Sequence, residues 1–251
     1  MLEVKNLSVS YSKKQVLEGV NFILAKGETI GILGKSGAGK TTILRALIKA
    51  LPKESRARGE VIYKGKNLLE LTEKEFYKFR GRVFGFLPQN AQAVLNPFLR
   101  IEKAIAESIK AHKKLGKRQA LVMAHKFLEL VGIDKHWWRA YPSQLSGGMK
   151  TRSALACLLA SGAEFLFLDE PTTGLDIVSQ KALSALLGKI RQERNPAILI
   201  VSHNLSFLFQ VCQKIYVLDN GKISEEIDVQ KPKFKTQLSK QFIEAFIIKN
   251  G

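Results

Sequence analysis

The chain has 251 residues, 45% of them hydrophobic and 25% charged. That is ordinary globular composition with enough length to bury a real core, which excludes a disordered, collagen-like or disulfide-scaffold chain. Forty Lys and Arg against 22 Asp and Glu leave +18 at pH 7, a balance that suggests an anionic partner: a nucleotide, a nucleic acid or the anionic cytoplasmic face of a membrane. No apolar run approaches the roughly 18 residues that cross a bilayer, and the start, MLEVKNLSVSY, lacks the apolar stretch of a signal peptide. Cys157 and Cys212 stand far apart in apolar surroundings, which reads as buried free thiols in a reducing cytosol. They have no metal-ligand spacing.

In chain order, LEVKNLSVSY and VLEGVNFILA alternate polar and apolar residues, the pattern of antiparallel strands. Residues 29–33 form a continuous apolar run that suits a strand buried on both faces. A Gly-rich loop follows over 34–39, and TTILRALIKAL then has helical spacing, with Pro52 to stop it. Residues 59–63 read as a further strand, with a turn near Gly65, and 83–87 as another. From about Asn90 to Met149 the chain is Lys-rich and helical, and reads as a lobe inserted into the core. Residues 100–150 hold eleven Lys/Arg against four Asp/Glu, the charge of a solvated helical face. Strand and helix then alternate: strand 165–168, helix 177–194, strand 197–201, helix 205–212, strand 215–218. Such alternation implies a parallel sheet covered on both faces. Asn220-Gly221 makes a hairpin turn, and the basic tail from Lys222 is expected to end in a packed helix, QLSKQFIEAFIIK.

Three segments carry chemistry. Gly34-Lys35-Ser36-Gly37-Ala38-Gly39-Lys40-Thr41 matches G-x-x-x-x-G-K-[ST] between a strand and a helix, the context this motif requires. A triphosphate concentrates several negative charges. Glycines let successive N–H groups turn toward one point, and the helix starting near Gly39 adds its positive dipole end. Lys40 can reach the β- and γ-phosphates, and the Thr41 hydroxyl can ligate Mg²⁺. Second, Asp169 and Glu170 emerge at the C-terminal end of an apolar strand, the edge where ligands bind in parallel sheets. Asp169 suits Mg²⁺, and Glu170 suits the polarising of an attacking water. Third, Leu145-Ser146-Gly147-Gly148-Met149 opens a helical run and can present N–H groups to phosphate.

The phosphate loop, Gln89, Leu145–Met149, Asp169-Glu170, Leu175-Asp176 and His203 stand in the order found in the ATP-binding cassette (ABC) ATPases, which the chain resembles over nearly its whole length. The resemblance implies an α/β fold: a P-loop NTPase (RecA-like) core with an N-terminal antiparallel β subdomain and an inserted α-helical subdomain. The core would comprise residues 1–89 and 156–225, the helical signature subdomain 90–155, and the C-terminal tail 226–251. It implies that Tyr11 stacks on adenine, that 34–42 including Thr42 bind the nucleotide with Gln89, and that Thr41, Gln89 and Asp169 attend Mg²⁺. Glu170 resembles the catalytic base, His203 the switch histidine near the γ-phosphate, and Lys40 the phosphate-loop lysine. Ser146, Gly147 and Gly148 would contact the γ-phosphate held by another subunit, and Asp176 would link the two ATP sites of such a dimer.

A narrower similarity is to the peptide/nickel importer ATPases. It rests on Leu95-Asn96-Pro97, Tyr141-Pro142-Ser143-Gln144 before the signature, and Asp169-Glu170-Pro171-Thr172-Thr173-Gly174-Leu175-Asp176. Val94 departs from it where a small hydroxyl residue is commoner, and Lys150-Thr151 where Arg and Gln are usual. No cysteine follows Cys212, which leans toward the shorter nickel- or metal-chelate-type members. The resemblance implies an ATPase energising a membrane importer, peripheral to the cytoplasmic face of the cell membrane. Its partners would be a second ATPase subunit, identical or related, integral permease subunits and, indirectly, a substrate-binding protein. Nucleic acid is not expected as a partner. The alternative is a soluble non-transport ABC ATPase of the nucleic-acid or carbon–phosphorus lyase accessory type. The translation-type members carry two cassettes in one chain, and the repair type inserts long coiled coils, for which the 106 residues from Lys40 to Ser146 leave no room.

Overall fold

Alternation in LEVKNLSVSY produces β1 (Leu2–Tyr11), in which Leu2 and Val4, then Leu7 and Val9, are buried; an irregularity at Asn6 (φ 49°) shifts the period of two by one residue between the pairs. The computed structural model describes residues 1–12 and 14–250. They form two compact units, Met1–Lys78 with Ala197–Gly251, and Phe79–Pro196.

In the first unit β1 pairs antiparallel with β2 (Lys14–Leu24). The apolar run that follows is β3 (Thr29–Leu33), buried at every position. The loop 34–39 leads into α1 (Lys40–Leu47). β4 (Ser55–Tyr63) returns to the other edge of β1 and carries the short β5 (Lys66–Asn67), and α2 (Glu73–Phe76) starts in a Thr72/Glu75 capping box. Helix α1 ends well before Pro52. Lys49 takes φ 49°, its N–H reaches the Ala46 carbonyl (3.2 Å), and the Ala50 N–H reaches that of Arg45 (2.8 Å). This is a Schellman closure made with lysine in the place where glycine is usual. The Lys49 ammonium is held by the carbonyls of Leu69 and Leu71, and this tertiary anchor stops the helix.

The second unit contains β6 (Phe84–Leu87), α3 (Ile101–His112), α4 (Lys117–Leu130), α5 (Gly147–Ser161), β7 (Phe165–Asp169) and α6 (Ile177–Arg194). Strands β6 and β7 are parallel, with Phe84 beside Phe165 and Leu87 beside Leu168. The Phe84 ring lies 5.5 Å from that of Phe165 and 5.7 Å from that of Phe167. Helices α3 and α4 pack on each other and on α5, which also covers β6. Packing therefore groups β6 and β7 with the helices, a different cut from the lobe expected over 90–155.

The rest of the first unit is β8 (Ala197–Ser202), α7 (Leu205–Val211), β9 (Lys214–Asp219), β10 (Lys222–Asp228) and α8 (Gln237–Asn250). β3 lies parallel between β8 and β9, with Leu33 opposite Ser202 on one side and Val217 on the other. The turn at Asn220-Gly221 has φ 46° and 80°, as a two-residue hairpin needs. Its backbone sits against β2: the Glu18 N–H donates to the Gly221 carbonyl (2.9 Å), Lys222 pairs with Glu18 (2.9 Å), and a Cβ on Gly221 would lie 2.3 Å from the Val16 carbonyl oxygen. Strand β10 went unrecognised in the sequence, because its middle buried position is Glu225, flanked by exposed Ser224 and Glu226. That carboxylate accepts the Lys235 N–H (2.6 Å), the Thr236 N–H (3.1 Å) and the Thr236 hydroxyl (2.9 Å), tying the approach to α8 onto the strand. The expected terminal helix is α8; the tail's last residue lies outside the described ones.

Candidate functional site

The first unit brings the phosphate loop and His203 to one sheet end. β3 and β8 run parallel, and their last residues, Leu33 and Ser202, are register partners. The loop and His203 follow directly, His203 exposed. In the loop, Gly39 takes φ 106° and leaves α1 without a capping side chain, and the first turn holds no acidic residue. The helix therefore presents its positive end to the loop. Lys40 is buried, and its ammonium donates to the carbonyls of Gly34 (2.8 Å) and Lys35 (3.0 Å). These bonds fold a mobile cation back over the backbone it must serve. Lys35, Ser36 and Gly37 are exposed on the loop's outer side, Ala38 is half-buried, and Thr41 is half-buried in the first helical turn. The Tyr11 hydroxyl lies 3.2 Å from the Thr42 hydroxyl, so the expected adenine-stacking ring stands beside α1.

In the second unit, parallel pairing of β6 and β7 puts Gln89 and the acidic pair at a common end. Gln89 lies two residues beyond Leu87, exposed. Asp169 closes β7 and is 3% exposed; Glu170 is 7% exposed. Glu170 takes φ 47°, a left-handed conformation that costs an L residue about 1–2 kcal/mol. It starts a turn in which the Thr173 N–H reaches the Glu170 carbonyl (3.1 Å). A strained glutamate directly after a buried strand is held by its surroundings, a mark of functional positions.

The signature lies in this second unit too. The Ser146 hydroxyl caps α5 by accepting the Met149 N–H (3.3 Å). Gly147 is exposed and Gly148 is buried. Asp176 caps α6: Oδ1 accepts the Ser179 N–H (2.7 Å) and Oδ2 the Ser179 hydroxyl (3.2 Å). The backbone bond from Ser179, followed by its hydroxyl, holds the Asp176 carboxyl below its ordinary range. The sequence reading passes over two side chains here. Buried Thr151 donates its hydroxyl to the Gly147 carbonyl (3.1 Å), and Ser179 bonds Asp176 and fills the space a Cβ on Gly148 would need. A serine three residues after a capping aspartate was the available signal for the second.

The arrangement offers a phosphate cradle with a lysine and a histidine in one unit, and an acidic pair, an amide and a helix-opening turn in the other. Hydroxyl, amide and carboxylate oxygens are the hard donors Mg²⁺ takes. Among the described residues no group of three or more His, Cys, Asp and Glu could hold a metal by itself.

A family model described as ABC transporter matches residues 17–173. The chain is 36% identical to the oligopeptide transport ATP-binding protein OppD of Bacillus subtilis, over 90% of this chain and 65% of that one. It is 35% identical to the dipeptide transport ATP-binding protein DppD of Lactococcus lactis, over 90% and 67%. With the metal-staphylopine import system ATP-binding protein CntD of Staphylococcus aureus it shares 28%, over 90% and 85%. The chain thus spans about two thirds of the length of the oligopeptide and dipeptide relatives. Among solved structures, the ATP-binding cassette MJ0796, a dimer in a post-hydrolysis state bound to ADP and Pi, superposes with a TM-score of 0.81 at 25% identity, over 91% of this chain and 99% of that one.

Proposed function

The chain belongs to the ABC transporter ATP-binding family, and on that premise we propose that it is the ATP-hydrolysing subunit of a membrane importer for peptides, nickel or metal chelates. The observation that carries this is the seating of each motif on the element its chemistry needs. The phosphate loop joins β3 to α1, the acidic pair closes β7, and the signature turn opens α5. A soluble non-transport role finds no comparable support, since the relatives above are named for transport and import.

In this reading the N–H groups of 34–42 and the α1 terminus hold the triphosphate, Lys40 neutralises its outer phosphates, and Tyr11 stacks on adenine. Thr41, Gln89 and Asp169 would hold Mg²⁺, which would add charge neutralisation at the phosphates when bound. Glu170 takes the proton of the attacking water, and His203 orients the γ-phosphate. Ser146, Gly147 and Gly148 serve the nucleotide of a second cassette, identical or related, so one chain builds only half of each site. ATP closes the dimer and hydrolysis reopens it. The functional division is the core 1–89 and 156–225, the signature subdomain 90–155 and the tail 226–251. No helix among the described residues is long and apolar enough to cross a membrane. From its likeness to transport ATP-binding proteins, the subunit is proposed to sit peripherally at the cytoplasmic face, on permease subunits fed by a substrate-binding protein.

The test is a pull-down from detergent-solubilised native membranes with Glu170→Gln and Mg·ATP. Glu170→Gln keeps ATP binding and lowers turnover about 10²–10⁴-fold. Recovery of multi-span proteins is the expected result. Recovery of soluble proteins or nucleic acid alone, with a known membrane complex preserved in the same extract, would overturn the transport reading.

A further inference from the structure

Two hydroxyl side chains adjoin the signature turn from the protein side. Thr151 bonds the Gly147 carbonyl at 3.1 Å from within α5. Ser179 comes from a different helix, α6. A Cβ built on Gly148 would stand 2.7 Å from the Ser179 hydroxyl oxygen and 3.1 Å from the Ser179 Cβ, so the Ser179 side chain occupies the space beside Gly148 that such a Cβ would need. That hydroxyl donates to Oδ2 of Asp176 at 3.2 Å, while the Ser179 N–H separately donates to Oδ1 at 2.7 Å. One small side chain thus stands between two segments far apart in sequence: the turn that opens α5 and the carboxylate that caps α6.

We propose that Ser179 is a positioning residue that registers the Gly147-Gly148 turn to Asp176. The inference rests on the reading above, in which both segments face the nucleotide of a second cassette. The geometry explains why serine suits the position. The Ser179 side chain already fills the space that a Cβ on Gly148 would need, so a larger side chain would press on Gly148. Alanine would keep the backbone cap on Oδ1 and lose only the hydroxyl contact. Movement of the signature turn on closing is passed to Asp176 through this hydroxyl, so the two elements engage the partner together.

The test uses the full chain in the Glu170→Gln background with Mg·ATP, with self-association measured by sedimentation. Ser179→Ala is expected to weaken ATP-dependent self-association about tenfold, the effect of losing a hydrogen bond to a charged group. In an Asp176→Ala background the same substitution should change it by less than about twofold. ATP affinity of the single chain should not move. Hydrogen exchange supplies a second readout: Ser179→Ala should speed exchange across 146–151 while the interior of α6 keeps its protection. A merely structural serine would raise exchange along α6 and cost the same with or without Asp176, and either result overturns the proposal. Unchanged exchange over 146–151 overturns it as well. If the parent chain fails to self-associate with Mg·ATP while exchange still couples, the pairing of identical cassettes falls and the Ser179 link stands.

Discussion

Gly39→Ala should cost far more stability than Gly37→Ala in the same phosphate loop, and its cost can be worked from two features. Gly39 sits at φ 106°, ψ 5°, outside the wells an L residue occupies, at a cost of order 1–3 kcal/mol. The new Cβ would also lie 2.7 Å from Leu17 Cδ2 and 3.2 Å from the Val16 carbonyl oxygen. Leu17 is fully buried, so the strain is shared with a filled core, which adds about 1–3 kcal/mol. Gly37→Ala is the internal control. It has φ 81° but no heavy atom within 4 Å of its added Cβ, so only the backbone cost of about 1–2 kcal/mol remains. For a chain of this size about 2–4 °C follows each kcal/mol, so thermal unfolding should drop a few degrees for Gly37→Ala and about 10 °C for Gly39→Ala. Leu17→Ala should lessen the effect of Gly39→Ala in a double-mutant cycle. Equal losses for the two glycines would refute the close approach to β2, and no loss in either would refute the left-handed backbone.

Tyr11→Ala should weaken ATP binding about tenfold or more if the ring stacks on the base, while Tyr11→Phe keeps the affinity; a fluorescent-nucleotide titration separates them, and equal losses would assign the effect to the hydroxyl beside Thr42. Burial pushes the Glu225 carboxyl up, but the bonds from Ser239, the Lys235 and Thr236 amides and the Thr236 hydroxyl outweigh it and leave it below its ordinary value. Its stabilisation is therefore present above the unfolded value of about 4.3 and is lost as pH falls through the lower folded one. The Tm gap between the wild-type chain and Glu225→Gln should be open near neutrality and close on acidification, and a gap independent of pH would refute this. Burial pushes the Cys157 thiol up to about 12, so alkylation near pH 8 should spare it until the chain unfolds, as mass spectrometry of labelled peptides would register.

Where one signal dominated, the sequence was read closely. The helix expected over 177–194 is α6, because Asp176 caps it and Asn195 at φ 50° ends it. The apolar runs became β3, β7 and β8 because strands buried on both faces have no polar side to disguise them. Local chemistry misled where a tertiary contact decided the outcome. Lys49 ended α1 through carbonyls some twenty residues away, and a buried Glu225 hid the alternation of β10. For the candidate site, residue identities and their order were legible in the sequence. The left-handed Glu170, the hydroxyl of Tyr11 beside Thr42 and the bridge through Ser179 were not, since each is a relation between residues that no single segment encodes.

The Asn220-Gly221 hairpin has a practical consequence. Tips of hairpins are ordinarily where a tag, a reporter domain or a new pair of termini is tolerated. This one is lodged against β2, with its backbone carbonyl engaged by Glu18 and no room for even a methyl beside Val16. An insertion there would have to displace a strand. The turn between α3 and α4, where Lys113, Lys114 and Gly116 are all exposed, is the better place to attach a label to this chain.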